Sequence, residues 1–257
     1  MEIFMKIFVL SKDTLIIYGL VILVLVGMFT VGTMSESVMT NAGVPDNIPI
    51  YRVNTEEKKI ALTFDAAWDD NDTDELMAVL DKNGAKASFF VVGGFIDRYP
   101  ETVKRFYDSG HEVLNHSDTH LHMTQLNKEQ ILKEINVCEE KIKNVTGESK
   151  KLFRAPYGDY NEEVTGLAKD AGYKTIQWDV DSLDWKDLSV EEISARVIGN
   201  VKNGSIILFH NGAENTVEAL ENILPKLKEQ GYEFVKVGDL IYHEDYTVDK
   251  NGEQSSY

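Results

Sequence analysis

Two histidines, His116 and His120, stand four residues apart in Asn115-His116-Ser117-Asp118-Thr119-His120. Imidazoles at that spacing can share one divalent metal ion, and such an ion most often activates water for hydrolysis. The spacing by itself is weak grounds, because an H-x-x-x-H pair is more often a surface pair or one satisfied by hydrogen bonds. A hydrolytic reading requires the rest of the chain to supply a base, an acid and an oxyanion site. The candidates are Asp65, Arg154, Asp181 and His210, spread across the sequence.

These residues need a frame. Lys59 to Asp65 reads as a buried strand, and Asp72 to Lys82 as a helix with Leu76, Val79 and Leu80 at helical spacing. Asp72 with Glu75 fits an N-cap pair. Ala87 to Val92 is a second strand, closed by Gly93-Gly94. Pro100 to Ser109 is helical, and His111 to Asn115 is a short strand that delivers His116. Asn127, boxed by Gln130, opens a helix to about Asn144. Leu152-Phe153-Arg154 runs into a turn, Ala155-Pro156-Tyr157-Gly158. Further helices run from Asn161 to Ala171, from Ser189 with Glu192 as its box partner, and from Thr216 to Gln230. Strands fall at Lys174 to Asp179, Ser205 to Phe209 and Glu233 to Val237, and the segment from His243 reads as a polar, frayed tail.

Strands alternating with helices imply an α/β fold with parallel strands, either a barrel or an open sheet. Asp65, His116, Arg154, Asp181 and His210 each come just after a strand. In parallel α/β folds the carboxyl ends of the strands face one way and sites form there, so distant positions would converge on one pocket.

Composition narrows the partners. A net charge of -17 over 257 residues argues against nucleic acid, whose phosphates would repel the chain. The single cysteine, Cys138, excludes an intramolecular disulfide. It shares a helical face with Ile131, Ile135 and Ile142, so it reads as a buried thiol. Leu15 to Val31 is uncharged and apolar apart from Tyr18 and Thr30, close to the roughly 20 residues that cross a bilayer. Lys6 and Lys12 precede it and the next basic residue is Arg52, which favours a single-pass anchor with the rest of the chain outside the cytoplasm. A cleaved signal peptide, giving a secreted protein, is the alternative reading, although no clear small-x-small site follows. The expected organisation is therefore an anchor over 1–34, a linker over 35–55, a catalytic domain over 56–242 and a tail over 243–257.

The motifs LTFD at Leu62 to Asp65, HSDTH at His116 to His120, RAPYG at Arg154 to Gly158, DSLDW at Asp181 to Trp185 and ILFH at Ile207 to His210 resemble those of the NodB-homology polysaccharide deacetylases, carbohydrate esterase family four. The resemblance covers roughly Lys59 to Leu240. It implies a distorted (β/α) barrel and metal-dependent removal of N-acetyl groups from cell-wall glycan such as peptidoglycan or a chitin-like polymer. By resemblance, His116 and His120 hold Zn²⁺ or Co²⁺, Asp65 is the base, and the backbone N–H of Tyr157 faces the oxyanion. His210 is the acid, supported by Asp184, and Arg154 keeps Asp65 ionised. Trp185 and Leu208 wall the groove around the acetyl group. Asp181 begins its motif, though its role could be only a turn or cap. His111, His122 and His243 match no motif position.

One departure stands out. The family's first motif usually continues with a second aspartate that ligates the metal, and here Ala66 takes its place. Asp69, Asp70 or Asp72 could substitute, or water could fill the position. The Asp65-Ala66-Ala67-Trp68 variant resembles the branch of the family found in spore-forming bacteria. Two other readings use the same residues: a weak or inactive glycan-binding member, favoured by Ala66, and an O-acetyl esterase, which differs mainly in its leaving group.

Overall fold

Strand β2, Lys59–Ala66, is buried on both faces from Ile60 onward. A strand covered on both sides belongs inside a parallel sheet, with its run of apolar residues unbroken rather than alternating. The computed structural model, which describes residues 47–186 and 188–257, shows this arrangement. On one side β2 pairs in parallel with β3 (Ala87–Val91), which pairs with β4 (Glu112–Asn115). β5 (Leu152–Phe153) and β6 (Lys174–Thr175) continue that side. On the other side β2 pairs with β8 (Ile206–His210), which pairs with β7 (Val180–Asp181). β9 (Glu233–Val235) joins the first residues of β2.

Helices α1 (Thr73–Lys82), α2 (Gly93–Arg98), α3 (Pro100–Asp108), α4 (Lys128–Thr146), α5 (Glu162–Asp170), α6 (Val190–Asn200), α7 (Thr216–Glu229) and α8 (Val237–Leu240) make the connections. The expected α/β class and parallel strands are present. The expected barrel is a curled half-barrel: the sheet path ends at β6 and β7, which do not pair with each other among the described residues.

Stacked rings fill the space between sheet and helices. Phe64 packs on Phe89 at 5.2 Å and on Phe209 at 5.5 Å, and Phe89 packs on Phe106 at 3.9 Å. Fully buried aromatics of this kind contribute about 1.5–3 kcal/mol each by area alone, so Phe64→Ala is expected to cost about 3–5 kcal/mol. Local signals set several helix ends. The Asn127–Gln130 and Ser189–Glu192 capping boxes both form, and Asn161 accepts the Val164 N–H.

Other expectations need correction. Asp72 precedes α1 but makes no side-chain capping bond; its Oδ2 accepts the Gly212 N–H at 2.7 Å instead, a tertiary partner displacing a local one. The strand does stop before Gly93-Gly94, and these two glycines also open α2. The linker expected over 35–55 ends earlier. Ile50 and Val53 are buried, Ile50 bridges Ile176, and Arg52 bridges Ser205, so this stretch lies across the gap that the sheet leaves open. The tail expected to fray from His243 is ordered. β10 (Tyr246–Val248) and β11 (Glu253–Ser256) pair as a hairpin, and β11 also pairs with β1 (Arg52–Val53). Gln254 is buried there, with its side chain bonded to both the N–H and the carbonyl of Tyr242. The two misread segments stabilise each other, and neither could form its strand alone. The expected membrane anchor at Leu15 to Val31 lies outside the described residues. Among those described, no helix is long and apolar enough to cross a membrane.

Candidate active site

The carboxyl ends of β2, β4, β5, β7 and β8 meet at a cleft of about 400 Å³. It is lined by Asp65, His116, His120, Tyr157, Asp181 and Leu208, with His210 and the indoles of Trp68, Trp178 and Trp185. Asp65 leaves the end of β2 facing inward. Arg154, fully buried just after β5, gives Asp65 Oδ1 a hydrogen bond from Nη1 at 2.7 Å. The same guanidinium donates to Thr63 Oγ1 at 2.9 Å and to the Gln177 carbonyl at 3.1 Å, and it lies 4.0 Å above the Phe90 ring. Burial works against the charge of Asp65, but its cationic surroundings outweigh that and hold its pKa below the usual carboxylate range. Arg154 is the lasting cation, because burial keeps His116 neutral and lowers its pKa.

His116 follows β4. Its Nδ1 lies 2.9 Å from the Arg154 carbonyl, which can only accept, so Nδ1 carries the proton and Nε2 carries a lone pair. That lone pair faces Asp65 Oδ2 at 3.3 Å. Two acceptors facing each other at that distance repel unless a cation lies between or beside them. The tautomer and the facing acceptors therefore fit a divalent metal ligated by Nε2. The His120 ring stands 5.1 Å from that of His116, and burial lowers its pKa to about 4, so it too is a neutral donor at pH 7. The third place is different. Ala66 is fully buried in the hydrophobic core and does not line the cleft. Asp69 Oδ1 accepts the Asn71 N–H, Asp70 Oδ2 accepts the Thr102 hydroxyl, and Asp72 is engaged by Gly212. Only Asp65 among the acids near the first motif reaches the histidines. Among the described residues, no group of three or more histidine, cysteine or carboxylate side chains is arranged to hold a metal.

His210, at the end of β8, faces the pair. Its Nδ1 lies 2.8 Å from Asp184 Oδ1, and Asp184 Oδ2 accepts the His210 N–H at 2.8 Å and the Thr216 hydroxyl at 2.7 Å. Burial pulls the His210 pKa down, but the hydrogen bond and charge of Asp184 more than offset it, leaving the imidazole above the ordinary histidine value. Tyr157 sits in the left-handed region at φ 60, between the rings of His120 at 4.5 Å and His122 at 4.3 Å. Trp185 is half exposed at the cleft mouth, and Leu208 is buried at its wall. Asp181 lines the cleft and also accepts the Leu183 N–H through Oδ1.

Several neighbours escaped the sequence reading. Trp68 stacks on His210 at 5.3 Å, and Glu134 on α4 bonds the turn between the two histidines. The only signal for Glu134 was a charge flanking an apolar helical face. His122, which matches no motif, packs on Tyr157 and pairs with Asp159 at 3.4 Å. His111 accepts the Ala87 N–H and is structural, and Cys138 is buried and inert.

Comparison with known proteins agrees with this geometry. Residues 52–176 match the polysaccharide deacetylase family model. A peptidoglycan-N-acetylglucosamine deacetylase of Bacillus cereus is 37% identical over 212 residues, covering 77% of this chain and 94% of that protein. The structure of the Bacillus subtilis family 4 carbohydrate esterase PdaA superposes with a TM-score of 0.70 at 34% identity, covering 75% of this chain and 84% of that one. A family 4 pseudoenzyme from Bacillus anthracis superposes with a TM-score of 0.73 at 30% identity, covering 80% of this chain and 70% of that one. With these relatives, the half-barrel and the groups gathered at its strand ends in agreement, the chain belongs to the polysaccharide deacetylase family of hydrolases.

Proposed function

We propose that this protein is a metal-dependent N-deacetylase of peptidoglycan. The observation that carries the proposal is the convergence of Asp65, Arg154, the His116–His120 pair and the Asp184–His210 pair on one cleft. His116 and His120 would hold a divalent metal, with Zn²⁺ and Co²⁺ suited to such nitrogen donors. When bound it supplies Lewis acidity, lowering the pKa of a coordinated water toward about 7 and polarising the acetyl carbonyl.

The chain's own groups do the rest. Asp65, ionised beside Arg154, takes the proton of the attacking water through Oδ2, the oxygen that Arg154 leaves available. A C–O bond forms at the acetyl carbon, and the backbone N–H of Tyr157 meets the developing oxyanion. His210, kept protonated by Asp184, donates from Nε2 to the sugar nitrogen as the C–N bond breaks. Acetate and a free amino sugar result. Trp185 and Leu208 exclude water around the acetyl group.

Full-length protein loaded with Zn²⁺ or Co²⁺ is expected to release acetate from peptidoglycan, and Asp65→Asn to lower the rate about 10²–10⁴-fold. Unchanged release in that variant removes Asp65 from the mechanism. A second reading, a glycan-binding protein without turnover, is favoured by Ala66 and by the likeness to a pseudoenzyme. Under it, no acetate is released and His116→Ala binds glycan as well as wild type. Acetate release from O-acetylated but not N-acetylated glycan would point instead to an esterase. The uncharged run Leu15 to Val31 after Lys6 and Lys12 supports a membrane-anchored, extracytoplasmic domain, where this substrate lies. The Asp65-Ala66-Ala67-Trp68 resemblance supports a spore-wall substrate, which a comparison of cortex and vegetative peptidoglycan tests.

A further inference from the structure

The turn that carries the histidine pair is bent against the preference of its own residues. Ser117 at φ 67 and His120 at φ 58 occupy the left-handed region without being glycine. Such a turn persists only if its surroundings over-determine it. The surroundings are on α4. Glu134, 8% exposed, accepts the Asp118 N–H at 3.0 Å and the Thr119 N–H at 2.7 Å on Oε2, and the Thr119 hydroxyl at 2.7 Å on Oε1. All three donors lie between the two histidines. One helical stretch further on, Lys141 pairs with Asp118 Oδ1 at 2.6 Å and with Asp97 at 2.6 Å. From the start of α2, the Gly93 and Gly94 N–H groups donate to the carbonyls of Ser117 and Asp118. Gly93 is close enough that a Cβ there would fall 2.1 Å from Asp118 Oδ1.

We propose that Glu134 is a positioning residue for the histidine pair. It fixes the backbone between His116 and His120 so that both rings face one point. It thereby supplies from α4 the rigidity that a third protein ligand at position 66 would otherwise give. This rests on the metal reading above. A carboxylate suits the place, because two backbone N–H groups converge on one of its oxygens and a hydroxyl on the other. A leucine offers those N–H groups no acceptor, whereas a glutamine can keep them on its oxygen and turn its NH₂ toward the Thr119 hydroxyl, which can accept.

The test uses the full-length protein and two readouts. In metal-free protein, hydrogen exchange reports the Asp118 and Thr119 amides directly. In the same preparations, titration with Co²⁺ followed by its visible absorption reports affinity and ligand geometry. Glu134→Ala and the similarly sized Glu134→Leu are expected to lose protection at those two amides. Both are expected to bind Co²⁺ about 10–100-fold more weakly, with an altered spectrum. The control is Glu139→Ala. Glu139 is buried on the same helix, lies 3.7 Å from Lys143 and faces the Tyr173 hydroxyl, so its loss tests the helix without removing a bond to Asp118 or Thr119. It is expected to lower thermal stability while leaving the turn amides and Co²⁺ binding as in wild type. Should Glu134→Ala fail to fold, Glu134→Leu decides. Wild-type Co²⁺ affinity in Glu134→Leu, or an equal loss in Glu139→Ala, overturns the assignment while leaving the metal reading intact. Absence of Co²⁺ binding by the wild-type protein overturns the metal reading and the positioning role with it.

Discussion

The two walls of the cleft are built on opposite plans. The turn from His116 to His120, after β4, is tied at nearly every backbone group. Ser117 N–H bonds Asn115 Oδ1, His120 N–H bonds Ser117 Oγ, and Glu134 takes the two amides between. The loop from Ala66 to Asp72, after β2, sends its acids away from the cleft and presents to it only Ala67 and Trp68, the latter 45% exposed. One wall holds the histidine pair in a strained, rigid frame, and the other offers a large adaptable ring. The second aspartate that the family resemblance implies would belong to the second wall, and the first wall is built without any hydrogen bond to Ala66. The frame of the histidine pair is therefore independent of what stands at position 66, because that frame is anchored in a different helix.

Arg154 joins the walls, so its removal is expected to give the largest effect. Its carbonyl holds His116 and its guanidinium holds Asp65. Arg154→Met removes only the second link and leaves a buried carboxylate without a cation. Stability is expected to fall by about 3–5 kcal/mol in urea denaturation, and acetate release to fall at least as far as in Asp65→Asn. Co²⁺ affinity should change much less, because the imidazole is held by backbone. A parallel collapse of Co²⁺ affinity would mean that the walls are not independent.

Asp184 comes next. The pKa of His210 is raised in the folded protein, so this pair contributes stability that is complete below the ordinary value of 6.5 and lost as pH rises through the folded value. As the proposed acid, His210 must also be protonated to work, so under that proposal the raised pKa extends activity toward alkaline pH. Asp184→Asn is expected to lower the rate about 10²-fold at pH 8 and to move the alkaline limb of the rate profile toward acid. A profile that keeps its alkaline limb would dissociate Asp184 from the acid.

Much of the frame was legible because its determinants are local. Capping boxes such as Asn127–Gln130 are written within four residues, and a strand such as Lys59 to Ala66 carries its burial in its own composition. What could not be read depends on distant partners. Arg52 and Val53 become a strand only against Glu253 and Gln254, and both stretches are too short and too polar to announce it. Asp72 looked like a helix cap until Gly212 took its carboxylate. Five of the strand-end groups could be placed together because parallel strands all point the same way. Glu134 could not, since a glutamate beside an apolar helical face ordinarily meets solvent. Chain order gave no hint that Trp68 would lie on His210.

Ala66→Asp tests whether the depleted wall can be refilled. Position 66 lies in the core, so an unpaired carboxylate there is expected to destabilise the metal-free protein by about 3 kcal/mol. If the strand end lets that carboxylate reach the histidines, Co²⁺ should recover the lost stability and bind about tenfold tighter than to wild type. A variant that is destabilised equally with and without Co²⁺ would show that the wall had closed over the old ligand place.

Trp68 should give the smallest effect and the most discriminating sign. Its indole stacks on His210 and faces the cleft beside Trp185, so it is placed to meet a sugar ring with its free face. Trp68→Ala is expected to raise KM for glycan about 3–10-fold with little change in kcat, and Trp68→Phe to restore most of it. The indole also keeps water from the imidazole, and burial is the largest influence lowering the His210 pKa. Removing the ring should let that pKa rise, carrying the alkaline limb of the rate profile upward. Asp184→Asn carries it downward. The two substitutions flank one imidazole, one taking away an apolar cover and the other a carboxylate, so opposite displacements identify His210 as the group that titrates. Displacements of the same sign would assign that limb to another residue.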